Sequence, residues 1–255
     1  MNRAERIVVN IFAAAILSAS LPLFLGAESA KVLRVGISPT DPPIAYWERN
    51  KVTGLEAEFS EKLGEALGCK VELVDLPFGK LIPALLSSDI DIIMAGMSVT
   101  PIRSLQISFS TPYMKVGQMA LVRREDRAEF ANPSDIVMSH KTAGAQENTT
   151  GQFLLVQEFQ NAQKRFFPTP EKGAEALRHK EIDLLILDSP YVLWLARKNE
   201  GTLTPIPALL TEENLAWGVR KTDVKLLTAA NEALEKWKAS GELETMIRKW
   251  VPDSN

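Results

Sequence analysis

A single cysteine, Cys69, occurs in the 255 residues, so no intramolecular disulfide can form. Histidine is nearly as scarce. With only His140 and His179 available, the thiolate and imidazole sets of ordinary structural metal sites are missing, and neither a metal nor a cofactor is expected. No charge of one sign dominates: 29 Lys and Arg stand against 32 Asp and Glu, and the basic residues are scattered. That removes the electrostatic footprint of a nucleic-acid or anionic-membrane partner. From Val32 onward no apolar run approaches the roughly 20 residues that span a bilayer. What is present, 45% hydrophobic and 24% charged residues, is enough for one large or two small soluble cores. Cys69, in LGCKVEL beside an apolar run, is expected to be a buried thiol.

The N-terminus has its own logic. MNRAER supplies Arg3 and Arg6, IVVNIFAAAILSASLPLFLG an apolar centre, and small residues follow around Ala27 to Ala30. This is the layout of a secretory signal peptide over 1–29. An uncleaved membrane anchor is the competing reading, but Asn10, Ser18, Ser20 and Pro22 dilute the apolar stretch. With no cysteine near the exit, a lipidated terminus is not expected, and the mature chain is expected to be free in the periplasm.

VLRVGIS (32–38) reads as a strand ended by the turn-forming TDPP at 40–43. LEAEFSEKLGEALG places Leu55, Phe59, Leu63 and Leu67 on one helical face with Gly68 as the stop. CKVELVDLP is a strand, GKLIPALLSS a short helix, and DIDIIMAG an apolar strand buried on both faces. Alternation of this kind argues for a parallel sheet with helices on both sides. The unit returns: AEALRHKEIDLLILD parallels PALLSSDIDIIMAG, bringing Asp188 opposite Gly96. Ligands of open α/β sheets bind beyond the carboxyl ends of the strands, so two facing lobes would set Gly96 and Asp188 on opposite walls of one cleft. At the C-terminal end two helices are expected with Gly241 between them, Trp237 and Trp250 serving as packing residues.

In AGMSVTPIRSLQISFSTPY the strand ends at Gly96, Met97 and Ser98 lie in the connection, Thr100 can cap a helix and Pro101 can start it. Arg103 then falls in the first turn, where a cation is unfavourable unless an anion is shared between it and the free N–H groups. The alternatives are a salt bridge or a solvated side chain. Asp188, in LLILDSPY, either caps the following turn or awaits a cation. Paired across a cleft, the two would suit a zwitterion: carboxylate on arginine, ammonium on aspartate.

The T-P-x-R block followed by F-S-x-P-Y, the I-D-x-x-x-x-D strand and the K-W ending, in this order, resemble the amino-acid-binding class of bacterial extracytoplasmic solute-binding proteins, receptors of ABC importers. The resemblance implies an α/β fold of two Rossmann-like lobes joined by a two-strand hinge and closing on the ligand like a hinged trap. The crossings would lie near 120–123 and 216–219, giving lobe 1 as 30–121 with 218–255 and lobe 2 as 122–217. It implies Arg103 for the ligand α-carboxylate, assisted by the N–H groups of Ser98 and Thr150. Asp188 would take the α-ammonium with the Gly96 carbonyl and the Ser98 hydroxyl, and Phe78 would form an aromatic wall. GAQENTTG resembles the family's Q-x-G-T-T turn, which brings in Gln146, Thr149 and Thr150, with Asn148 where a Gly is usual.

Two departures leave the side-chain specificity open. Asp41 stands where many relatives carry a stacking aromatic, and either reads a polar or cationic group or only caps the TDPP turn. Ser38 occupies a place that is acidic in receptors for basic amino acids and glutamine, and Tyr46 or Trp47 would supply the lost aromatic surface. The resemblance implies a monomeric, non-catalytic receptor that delivers an amino acid to a membrane permease. A periplasmic prephenate or arogenate dehydratase on the same fold is the enzymatic alternative, with Glu147 or Asp41 as proton donor. A sensory module, which would need a membrane partner or an uncleaved N-terminus, is the third.

Overall fold

The computed structural model describes residues 31–130 and 132–251. The expected signal peptide lies outside them. The chain opens with β1 (Val32–Ile37), then β2 (Thr40–Asp41), β3 (Ala45–Glu48) and β4 (Lys51–Thr53), which form a small antiparallel sheet. Helix α1 (Leu55–Leu67) stops at Gly68, whose φ of 62° is the left-handed conformation that glycine adopts without strain. There follow β5 (Lys70–Asp75), a 3-10 turn at Phe78–Lys80, α2 (Leu81–Leu86), β6 (Ile92–Ile93), α3 (Pro101–Ser104) and β7 (Ser108–Phe109).

Strand β8 (Met114–Val116) leads to a second set of elements: β9 (Gln118–Arg123), α4 (Pro133–Val137), β10 (Thr142–Gln146), α5 (Thr150–Glu158), β11 (Gln163–Phe167), α6 (Pro170–Arg178), β12 (Leu184–Asp188), α7 (Ser189–Lys198) and β13 (Leu203–Leu209). The chain returns through β14 (Glu213–Leu215) and closes with β15 (Gly218–Val219), α8 (Val224–Ser240) and α9 (Glu242–Trp250), Gly241 turning between the helices with φ 79°.

The result is two five-stranded sheets, ordered β5-β1-β6-β15-β7 and β11-β10-β12-β9-β13, joined by the antiparallel ribbon of β8 and β14. In each sheet four strands run in one direction and the fourth in the order, β15 or β9, runs against them. The sheets are therefore mixed rather than wholly parallel, because β15 and β9 enter from the ribbon against the direction of their neighbours. The ribbon passes between the sheets at Met114–Val116 and Glu213–Leu215, and β9 already pairs within the second sheet from Gln118. Apolar clusters cover both faces of each sheet. The first is anchored by the ring contacts among Phe59, Tyr113, Trp217 and Trp237, with centroids 5.2 to 6.0 Å apart. Trp250 and Cys69 are half-buried against this cluster, so the thiol is less enclosed than its apolar context suggests.

The repeated helix-turn-strand unit is structural as well as textual. In the first lobe Arg220 donates to the carbonyls of Leu85 (3.3 Å) and Ile90 (2.5 Å) and pairs with Asp91 (3.2 Å). At the matching positions of the second, Arg123 donates to Leu177 (2.9 Å) and Ile182 (2.6 Å) and pairs with Asp183 (3.0 Å). Each aspartate also accepts from a backbone N–H of the adjacent strand, Arg34 in one lobe and Thr142 in the other. Both turns contain a left-handed residue, Ser88 and Lys180. The physical need is the same in both places: carbonyls of a tight turn at the foot of a buried strand require donors, and a guanidinium supplies several at once.

Candidate functional site

At the other end of those two strands lies a cavity whose lining includes Ser38, Thr40, Asp41, Phe78, Ala95, Gly96, Ser98 and Arg103 from the first lobe. Gln146, Thr149, Thr150, Pro170, Leu187 and Asp188 come from the second, and Gln118 from the start of β9 just after the ribbon. The lobes touch across it: the Arg103 guanidinium donates to the Asn148 carbonyl at 3.1 Å, and a Cβ built on Gly79 would fall 2.7 Å from the Asn148 amide.

Arg103 is placed by local chemistry. Thr100 accepts from the Arg103 N–H at 3.2 Å and Pro101 starts α3, so the side chain turns inward from the first turn. It is buried, donates also to the Ser98 carbonyl at 2.9 Å, and lies 5.3 Å from the centroid of Phe78. Neither the solvated side chain nor the salt bridge is found: among the described residues the guanidinium bonds only to carbonyls. Burial pulls it below its ordinary pKa, opposed by the nearby charges of Asp188 and Glu213.

Asp188 ends β12 and occupies the position before α7, yet its side chain does not cap that helix. It accepts from the Gln118 amide instead. Burial and the Glu213 carboxylate push Asp188 up to about 7, against the lowering influence of Gln118 and Arg103. The same Gln118 nitrogen donates to Thr150 Oγ1 (3.0 Å) and to Glu213 Oε1 (3.2 Å), so one amide ties the cavity wall to the ribbon. Thr211 completes the tie, accepting from the Gln118 N–H at 2.9 Å and donating to Glu213 at 2.7 Å. Among the described residues, Gln118 Oε1 and Glu213 Oε2 are buried with no donor.

Around these groups, Thr149 caps α5 and donates to the Gln146 carbonyl at 2.8 Å, which sets Thr150 at the helix start facing the cavity. Asn148 has φ 63°, a conformation that asparagine tolerates. Gly96, also left-handed at φ 63°, is held by its N–H on Glu56 Oε1 at 2.8 Å. The TDPP turn is closed by backbone, Ile44 N–H to the Asp41 carbonyl at 2.9 Å, and leaves the Asp41 carboxylate to the cavity. Burial and the charge of Asp188 hold Asp41 well above the usual carboxylate range.

Ser38, Asp41, Phe78, Gly96, Ser98, Arg103, Gln146, Thr149, Thr150 and Asp188, all singled out from the sequence, line this cavity. Met97 and Tyr46 do not. Met97 is buried among Leu81, Leu85 and Ile107 because side chains alternate along the extended chain and its neighbour Ser98 takes the cleft side. Tyr46 lies on β3, paired with Thr40 and Thr53. Gln118 and Glu213 escaped notice; a lone Gln in the apolar run MKVGQMALV was the available signal, since a buried amide needs a polar reason to be there.

Known proteins share this architecture. The L-cystine-binding protein TcyJ of Escherichia coli K12 is 27% identical over 219 residues, covering 86% of this chain and 82% of that protein. The ABC transporter arginine-binding protein 1 of the same organism is 26% identical over 245 residues, covering 93% and 98%. The crystal structure of a mutant of ArgBP from T. maritima superposes with a TM-score of 0.81 at 29% identity, covering 87% of this chain and 96% of that one. These relatives are named for binding rather than for a reaction. A match across residues 33–253 settles the kinship: the chain belongs to the bacterial extracellular solute-binding proteins, family 3.

Proposed function

We propose that this protein is a periplasmic receptor that captures a free amino acid between its lobes and hands it to the permease of an ABC importer. The observation that carries the reading is one cavity lined by a buried cation of the first lobe, Arg103, and by a carboxylate of the second, Asp188. The ligand α-carboxylate takes the guanidinium and the N–H groups of Ser98 and Thr150. Its α-ammonium takes Asp188, the Gly96 carbonyl and the Ser98 hydroxyl. Phe78 and Gln146 complete the walls, and the β8–β14 ribbon is the hinge, dividing 31–113 with 216–251 from 117–212.

Export follows from a cleaved, non-lipidated signal peptide at 1–29, and the protein works as a monomer without nucleic acid. Support comes also from relatives named for cystine and arginine binding. A thermal-shift panel of the standard amino acids tests the proposal. A ligand at about 100 times its Kd adds about 2.7 kcal/mol of apparent stability, so at least one amino acid is expected to raise the melting temperature in a saturable way. A flat response to all of them overturns the reading.

A further inference from the structure

The charges of the cavity do not balance. Arg103 is the cation in its lining, whereas Asp41 and Asp188 both line it, and Glu213 stands behind Asp188 at the shared Gln118 amide. A zwitterion is neutral overall. Once its carboxylate sits on Arg103 and its ammonium on Asp188, Asp41 still faces the closed cavity, and no described residue donates a hydrogen bond to its carboxylate. The surroundings supply acceptors in excess: Gln118 Oε1 and Glu213 Oε2 are buried with no donor among the described residues. The turn does not use the Asp41 side chain either, since backbone bonds from Thr40 to Ser38 and from Ile44 to Asp41 close it.

An apolar ligand side chain would leave Asp41 dehydrated and unpaired, and an acidic one would add a like charge; both are unfavourable in a closed site. A cation answers the need. We propose that the amino acid bound here carries a second cationic group on its side chain and that Asp41 pairs with it. Asp41 lies at the end of β2, beside Ser38 and Thr40 in the same lining. This inference rests on the zwitterion reading of the same site.

The test is calorimetry at neutral pH with pairs of ligands matched in shape: arginine against citrulline, and lysine against norleucine, on the wild-type protein and on Asp41→Asn. Removing one partner of a buried charge pair weakens binding by about 30-fold or more. At least one cationic member is therefore expected to bind about 30-fold tighter than its neutral partner. Asp41→Asn should reduce that ratio to within about threefold, chiefly through weaker binding of the cationic member. Neutral members binding as tightly as cationic ones, or a preference that survives in Asp41→Asn, overturns the inference and leaves the amino-acid reading intact. Binding of no amino acid at all overturns both. If Asp41→Asn fails to fold, the wild-type ratios still decide whether the ligand side chain is cationic, and Asp41→Ser takes its place in the test of the pairing.

Discussion

Replacing Glu56 by Gln removes a charge from the first lobe without removing volume. Glu56 lies on α1 with its side chain fully buried, and its carboxylate accepts from the Gly96 N–H at 2.8 Å, the Tyr113 hydroxyl at 2.6 Å and the Trp217 indole at 3.0 Å. Three donors do not offset the burial, which pushes the group up from 4.5 to about 7. The unfolded chain releases this proton near 4.5, so between there and 7 the folded protein holds a proton that the unfolded chain has lost. Stability from this group is full at the acid end and is lost as pH rises through 7. At 1.36 kcal/mol per pH unit the interval amounts to about 3 kcal/mol.

Gly96 and Tyr113 share Oε1 while Trp217 uses Oε2, so a glutamine, with a single oxygen, keeps the donors of one side and turns its NH2 group toward the other. Glu56→Gln is therefore expected to start below wild type at pH 4.5 by the cost of the lost hydrogen bond, about 1–3 kcal/mol, and to gain on it by up to about 3 kcal/mol, or roughly 6 to 12 °C in melting temperature, by pH 8. Urea unfolding of both proteins at the two pH values measures the difference, and taking it between proteins removes the contribution of other titrating groups. A gap that is the same at both pH values would refute the reasoning.

Three other outcomes follow from the site and the lobes. Arg103→Ala is expected to weaken binding of the best amino acid by about 30-fold to several thousand-fold, because the ligand carboxylate is left without its cation; unchanged affinity in calorimetry sinks the carboxylate assignment. Ligand ammonium needs Asp188 ionised, and Asp188 sits at about 7, so wild-type affinity should rise as pH passes upward through 7, while Asp188→Asn binds more weakly at pH 8 and loses that rise. Arg123→Met and Arg220→Met each strip a turn of its donors and are expected to cost about 2–4 kcal/mol in urea unfolding; losses below about 1 kcal/mol would contradict the paired clamp.

Much of the scaffold was legible because it is built from local signals. Gly68 stops α1, Thr100 and Pro101 start α3, and the recurrence of Leu85, Ile90 and Asp91 as Leu177, Ile182 and Asp183 marks two copies of one unit. Chemistry at the ends of those strands was legible for the same reason, since Gly96 and Asp188 fall at matching positions. The rest depends on distant partners. Glu56, one residue along from Leu55 in an amphipathic helix, carries no sign of burial, and only the arrival of Gly96, Tyr113 and Trp217 makes its place intelligible. Gln118 and Glu213 meet because the two ribbon strands pair, a contact between segments far apart in the chain. Met97 could have been assigned to the core from the period-two alternation alone, given Ser98 on the cleft side.

Recognition of both ends of a zwitterion is the central claim, and it is tested without any mutation. Once the preferred amino acid is known, calorimetry compares it with its decarboxylated amine and with its analogue lacking the α-ammonium. Each truncation is expected to weaken binding by about 30-fold or more, because Arg103 or Asp188 is left charged and unpaired in a closed cavity. Either analogue binding as tightly as the amino acid itself would contradict the clamp.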